Sequence, residues 1–185
     1  MFGATAFDGI LRAAQAGADW AWRDLYEDIA PRIASYARAS RVPDPEAVVG
    51  DVFLGAVQSL GTFEGDRRAF HTWMFTLARH AVIDEHRKSM RRRTAPLPPE
   101  VLAELGPPGD AEQESLRALA EERVRDALAP LTSEQRDVLL LRIVAGLTID
   151  ETARVLRKSQ GAVKGLQARA LASLERRLSP GAVTL

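Results

Sequence analysis

The chain contains no cysteine, which excludes a disulfide framework, a thiolate zinc site and a thiol nucleophile. Histidine is nearly as scarce, with three residues, His71, His80 and His86, among 185. His80 and Asp84 lie four apart on one helix with His86 nearby, and i,i+4 ligands can share a metal. A catalytic zinc site ordinarily takes three protein ligands and a water, and no third ligand on another element presents itself. No metal, no cofactor and no catalytic residue are therefore expected. No uninterrupted apolar run approaches the roughly 20 residues that span a bilayer. The N-terminus carries Asp8 and lacks the basic start and cleavage site of a signal peptide. The expectation is a soluble, cytoplasmic chain without direct membrane insertion. Net charge is missing too, 25 basic residues standing against 25 acidic ones.

What is present is a core-forming composition, 46% hydrophobic and 27% charged, outside the disordered range. The zero net charge conceals an uneven distribution. Residues 1–93 hold 13 basic and 12 acidic residues, residues 94–130 hold 3 and 8, and residues 131–185 hold 9 and 5. The first part also ends in a cluster of Arg87, Lys88, Arg91, Arg92 and Arg93. Such asymmetry points to a polyanionic partner at particular faces, although basic helix ends are also favoured simply by the helix dipole.

Five of the ten prolines fall between Pro96 and Pro108, a density that excludes regular helix and marks a linker. On either side the apolar spacing is helical, with no strand alternation. Phe7, Ile10, Leu11 and Ala14 mark a first helix; Trp22, Leu25, Ile29, Ile33 and Tyr36 a second, kinked or locally opened at Pro31. Asp44 offers an N-cap and Pro45 an N1 residue for a third, with Val48, Val49, Val52, Phe53, Ala56 and Leu60 as its inner face. After the loop GTFEGD, a fourth carries Phe70, Trp73, Met74, Leu77, Ala81 and Val82 and runs to about Arg93. In the second block, Leu116, Leu119, Val124 and Leu128 give a helix stopped at Pro130. Thr132 with Gln135, and Thr148 with Glu151, are capping boxes opening two more; the first carries Val138, Leu139, Leu140 and Ile143 and ends at Gly146. Ser159 caps a last helix with Val163, Leu166, Ala170, Leu171 and Leu174. The fold class is all-α: two small helical domains, 1–93 and 116–185, joined by a Pro-rich, acidic linker at 94–115.

Residues 148–174 have the pattern of a helix-turn-helix. Ala153 is small where two helices would cross, and Val163 packs beneath the second helix. The major groove admits an α-helix whose N-terminal residues reach base edges. Its exposed positions are expected at Gln160, Lys164, Gln167 and Arg169, with Ser159 at the cap. Gln pairs bidentately with adenine, whereas Lys and Arg reach guanine or phosphate. Arg157 stands in the turn where a left-handed residue, usually Gly, is needed. An ordinary αα-hairpin with a polar outer face has the same pattern.

Taken in order, these segments resemble the bacterial RNA polymerase sigma factors of the sigma-70 family, in the compact extracytoplasmic-function (ECF) group. DPEAVVGDVFLGAV at 44–57 is similar to the family's core-binding helix, with Ala47 and Gly50 in place of an acidic residue and a Gln. FEGDRRAFHTWMFTLARHAVIDEHRKSMRRR at 63–93 resembles the stretch that melts and reads the minus-ten element, with His80 in place of Asn. LTSEQRDVLLLRIVAGLTIDETARVLRKSQGAVKGLQARALASL at 131–174 resembles the domain that reads the minus-thirty-five element, with Gly165 and Leu166 in place of Ser and Arg.

The resemblance implies a chain that works by binding rather than bond chemistry, an alternative sigma factor that directs promoter-specific initiation. Asp44, Glu46, Asp51 and Phe53 would meet core RNA polymerase at its beta-prime clamp, and the second domain would meet the beta flap. Arg79, Arg87, Lys88 and Arg91 would neutralise promoter phosphates, beside His80. Phe63, Glu64, Gly65 and Asp66 would build the pocket for an extruded base, with Trp73 in the core. An anti-sigma protein would mask these faces, and the chain would be monomeric when free of partners. The acidic linker, with Glu100, Glu104, Asp110, Glu112 and Glu114, would lie either in the polymerase's RNA path or as a solvated tether. The rival reading is a stand-alone helix-turn-helix regulator, which uses residues 131–174 and leaves 44–93 without a role.

Overall fold

Apolar residues at helical spacing decide the architecture, and in the structure, a computed structural model, every regular element is a helix among the residues it describes, 4–94, 123 and 126–178. The acidic linker and the expected positions Leu116, Leu119 and Val124 lie outside the described residues.

Helix α1 (Ala4–Gln15) lays Phe7, Ile10, Leu11 and Ala14 on the core. Helix α2 (Asp19–Ala39) contributes Leu25, Ile29, Ile33 and Tyr36. Pro31 lies inside this one helix and does not end it. Pro31 is exposed, so water can solvate the carbonyl that its missing N–H leaves unbonded. Helix α3 (Pro45–Ser59) starts as expected: the Asp44 carboxylate accepts the Ala47 N–H at 2.9 Å, with Pro45 in the first turn. A single 3-10 turn, Leu60–Thr62, leads to the loop before α4 (Arg67–Thr94). Phe70, Met74 and Val82 of α4 are buried as expected, and Phe75 and Ala78 join them. Burial on two arcs makes α4 the central helix of this block, with Phe75 edge-on to Tyr36 and Phe70 against Phe7.

In the second block both capping boxes are closed reciprocally, Thr132 with Gln135 and Thr148 with Glu151. They open α5 (Ser133–Ile143) and α6 (Ile149–Leu156). Helix α7 (Gln160–Leu178) follows, its Ala162 N–H held by the Ser159 hydroxyl at 3.2 Å. Val138, Leu139, Ala153, Val163 and Ala170 form the core here. Ile143, at 71% exposure, and Leu171, at 42%, point outward instead.

The turn between α6 and α7 is left-handed at Arg157 (φ 53, ψ 45), and the Lys158 N–H reaches the Ala153 carbonyl at 3.0 Å. That is a Schellman closure of the kind that normally employs glycine. A non-glycine residue there costs of order 1 kcal/mol. Arg157→Gly is therefore expected to stabilise the chain by about 1 kcal/mol, read as a higher urea midpoint at unchanged slope.

The two blocks pack directly on one another, α4 against α6 and α2 against α5.

Candidate nucleic-acid and partner interfaces

Helix α3 turns Val48, Val49, Val52 and Ala56 inward, which leaves its outer arc to other residues. Two of them are large and apolar: Leu54 is 59% exposed and Val57 56%. Phe53, expected both in the buried set and at a docking surface, is half-buried and packs against the exposed Tyr26, the rings tilted by 47° with centroids 4.7 Å apart. The acids sit around this apolar centre. Glu46 pairs with Arg38 at 3.6 Å and Asp51 with Lys88 at 3.2 Å, while Asp44 is committed to the N-cap. Leu54, Val57 and Tyr26 were not singled out from the sequence. The available signal was that Leu54 and Val57 fall outside the helical arc that Val48, Val52 and Ala56 occupy.

The loop before α4 is built rather than loose. Gln15 of α1 donates to the carbonyls of Leu60 and Phe63 at 3.0 and 2.9 Å. Phe63 lies against Trp73 and Phe70, at 5.0 and 5.8 Å between ring centroids. Gly65 has φ 154, and a Cβ there would lie 2.7 Å from the Ala69 Cβ and 3.1 Å from the Phe63 ring. The Asp66 carboxylate accepts the Ala69 N–H at 2.7 Å and so caps α4. Of the four loop residues, Glu64 alone is exposed without a structural bond of this kind. Trp73 is half-buried among aromatics, as expected for a core-side residue.

On α4, His80, Asp84, Arg87 and Arg91 recur at i, i+4, i+7 and i+11 and so share one outer stripe. His80, Asp84, Lys88, Arg91 and Asp51 line a groove of about 330 Å³ between α3 and α4. Arg87 pairs with Asp84 at 3.2 Å, both well exposed. Among the described residues no group of three or more His, Asp or Glu could hold a metal. Arg79, expected beside Arg87, Lys88 and Arg91, does not share this stripe. It lies about 100° around the helix from His80 and pairs with Asp137 of α5 at 3.2 Å. Burial pushes the Asp137 carboxyl up, and the Arg79 guanidinium only partly offsets this.

The helix-turn-helix places Gln160 and Lys164 on one flank of α7, both exposed. Gln160 donates to Asp150 at 3.0 Å. Gln167 is half-buried and accepts from Arg142 at 3.3 Å. Arg169 is exposed but sits about 180° around the helix from Gln160, so one groove-facing surface cannot present both at its centre. The arc between them is small: Gly161, Ala168 and Ala172 are all exposed. This outer face admits close approach of a surface, with polar side chains at its two edges.

Glu151 completes its capping box and also receives Arg68 of α4. Burial opposes its ionisation, but Arg68 together with the Thr148 N–H and hydroxyl hold the carboxyl at about 2. Near α2, burial raises the Asp28 carboxyl and Arg67, one of whose Nη atoms reaches both carboxylate oxygens at 2.9 and 2.8 Å, lowers it, with a net downward shift. Burial likewise lowers His71 against the pull of Asp28.

Comparison with known proteins places the chain. The sequence profile "Sigma-70 region 2" matches residues 25–92, and "Sigma-70, region 4" matches residues 127–176. The ECF RNA polymerase sigma factor BldN of Streptomyces coelicolor is 34% identical over 171 residues, 91% of this chain and 64% of BldN. The chain thus spans just under two thirds of that relative's length. The ECF RNA polymerase sigma factor SigD of Mycobacterium tuberculosis is 34% identical over 178 residues, 91% of this chain and 82% of SigD. Among solved structures, CnrH in complex with the cytosolic domain of CnrY superposes with a TM-score of 0.68 at 25% identity, over 91% of this chain and 94% of CnrH.

Proposed function

We propose that this chain, which belongs to the sigma-70 family and within it to the ECF RNA polymerase sigma factors, acts as an alternative sigma factor that docks on core polymerase and selects promoters. Residues 1–93 serve core binding and the minus-ten element, residues 94–115 connect, and residues 116–185 serve the minus-thirty-five element. Core docks on the outer arc of α3, with Leu54 and Val57 at its centre and Glu46 and Asp51 at its rim against basic clamp residues. His80, Arg87, Lys88 and Arg91 follow the minus-ten DNA, and Glu64 stands at the mouth of the loop where an extruded base would enter. Extrusion costs a few kcal/mol, which stacking and hydrogen bonds in that pocket must return. Gln160 and Lys164 approach base edges at the minus-thirty-five element, while Arg169 reaches phosphate on the opposite edge of α7.

The observation that carries this reading is the coexistence of three faces on one chain. An apolar, acid-rimmed arc on α3 and a basic stripe on α4 accompany the helix-turn-helix, and a stand-alone regulator has no use for the first two. CnrH held by the cytosolic domain of CnrY supports control of this chain by an anti-sigma protein that masks the same faces. The site of action is then the cytoplasm, where core polymerase works.

Run-off transcription with purified bacterial core polymerase tests this directly. Discrete transcripts that need both core and this chain are expected, on fragments including its own upstream region. Failure to bind core at all would return the stand-alone regulator to first place. Lys164 is exposed, and the holoenzyme's promoter affinity should carry a salt slope that Lys164→Gln lowers by about 1 if it meets phosphate. If it reads a base instead, the slope holds and sequence preference relaxes.

A further inference from the structure

Gln160 and Gln167 of α7 are seven residues apart, about 10 Å along the axis and within about 20° of one face. Residue type alone gives both the same role, yet their neighbours hold them in opposite senses. The Gln160 Nε2 donates to the Asp150 Oδ1 at 3.0 Å. The Gln167 Oε1 accepts from the Arg142 Nε at 3.3 Å. An ionised carboxylate only accepts and a guanidinium only donates, so neither amide can turn over without losing its bond. Gln160 keeps its carbonyl oxygen and one N–H for a partner, whereas Gln167 presents its amino group. We propose that Asp150 is a positioning residue that fixes the Gln160 amide for adenine, which makes Gln160 the adenine-specific reader of the minus-thirty-five element. This rests on the promoter reading above and names a base that α7 selects there.

Donors and acceptors decide the base. In the major groove adenine offers N7 as an acceptor beside its N6 amino donor. A locked Gln160 answers both, its N–H to N7 and its Oε1 to the amino group. Guanine offers two acceptors, N7 and O6, and would set one of them against Oε1. Thymine offers an acceptor and a methyl group, and cytosine a single donor, so each leaves one Gln160 group unmet. An amide free to turn over would exchange its nitrogen and oxygen and lose much of this discrimination. Gln167, half-buried and held by Arg142, suits acceptor oxygens instead.

Asp150 is itself held. Its other oxygen, Oδ2, receives the Arg154 Nε at 3.1 Å and Nη2 at 2.5 Å, one turn along α6. Each carboxylate oxygen thus has its own donor, and the bonds from Arg154 and Gln160 keep the carboxyl below its usual range. Asp150 therefore remains an ionised acceptor at neutral pH. It also stands in the first turn of α6, where the helix dipole favours negative charge. Arg154 offsets the repulsion that a bare carboxylate would set against promoter phosphates.

A promoter library randomised across the minus-thirty-five element, transcribed by core polymerase with the full-length chain, tests the assignment. One position is expected to favour adenine about tenfold or more over each other base, as a bidentate pair supplies. Gln160→Ala should flatten that position and no other. Asp150→Asn keeps the shape but lets either end of the new amide meet Gln160, so the same preference should fall to about threefold or less. Asp150→Ala should act alike, and both should leave the other positions unchanged. Asp150 is exposed, and such substitutions seldom disturb a fold. A role in stability alone would lower transcription from all sequences together and leave the adenine preference intact, which would overturn the proposal. So would a preference unmoved by either Asp150 variant, or a Gln160→Ala chain that flattens no position or one favouring another base. If no library member gives a core-dependent transcript, the sigma-factor reading falls, and the role given to Gln160 falls with it.

Discussion

Leu54→Glu should cost core polymerase binding at least about 100-fold while leaving the free chain as stable as before. Leu54 is 59% exposed in the centre of the α3 outer arc, and Val57 one turn on is 56% exposed. Burying one such side chain in a protein interface contributes roughly 1.5–3 kcal/mol, and the glutamate adds an unpaired charge to a desolvated centre. With about 1.4 kcal/mol per factor of ten, the two effects together pass 100-fold. The fold has no reason to object, since surface substitutions away from structural bonds stay within about 0.5 kcal/mol. Val57→Glu should behave alike, whereas Glu46→Gln, at the rim and in an exposed pair with Arg38, should cost far less. The measurement is equilibrium binding to core polymerase, with a urea titration of the free variant as control. Unchanged core affinity in Leu54→Glu would remove α3 from the docking surface.

That prediction depends on residues which the sequence pattern hid. Five of the six positions expected on the inner face of α3 are buried, and the remaining one, Phe53, is half-buried against Tyr26. Periodicity locates the inner arc of a helix well, because the core accepts apolar residues and little else. It says nothing about which apolar residue outside that arc serves a partner, and so Leu54 and Val57 passed as ordinary composition. Local chemistry was the most legible level. Asp44, Thr132, Thr148 and Ser159 each receive the backbone N–H that their positions imply, because a cap requires only four consecutive residues. Arg157 takes the left-handed conformation because the helix-turn-helix turn demands it and the rest of the block can bear the cost.

Rotational position around long helices was less legible. Arg79 and Arg169 have the charge that a nucleic-acid face wants, and both fall on other arcs than the residues grouped with them. For Arg79 the reason is Asp137, 58 residues away in sequence, a contact that no local pattern encodes. The packing of the two blocks has the same origin: Arg68 of α4 meets Glu151 of α6 across 83 residues of sequence, although Glu151 reads in isolation only as the far end of its capping box. What the sequence could carry was the segment order that resembles the sigma-70 family, and with it the function. What it could not carry was the set of contacts that join the two blocks.

Gly65→Ala is expected to be the most damaging glycine-to-alanine change among the described residues. Two independent costs meet there. The backbone at φ 154 lies where only glycine is comfortable, a penalty of roughly 1–3 kcal/mol for any other residue. The new Cβ would also stand 2.7 Å from the Ala69 Cβ and 3.1 Å from the Phe63 ring. Neither neighbour can retreat easily. Ala69 is in the first turn of α4, fixed by its N–H bond to Asp66, and Phe63 is wedged between Phe70 and Trp73. Displacing either one opens the loop that the proposed function places over the extruded base, so promoter opening should fall at least about tenfold together with stability. Adding Ala69→Gly separates the causes. It removes the atom of closest approach and leaves the dihedral penalty and the Phe63 contact, so Gly65→Ala with Ala69→Gly should regain part of the lost stability but not all of it. Full recovery would assign the effect to crowding against Ala69, and no recovery to the backbone together with the remaining Phe63 contact. A Gly65→Ala chain that unfolds at the wild-type urea midpoint and still opens promoters would mean that the loop's conformation has no part in melting.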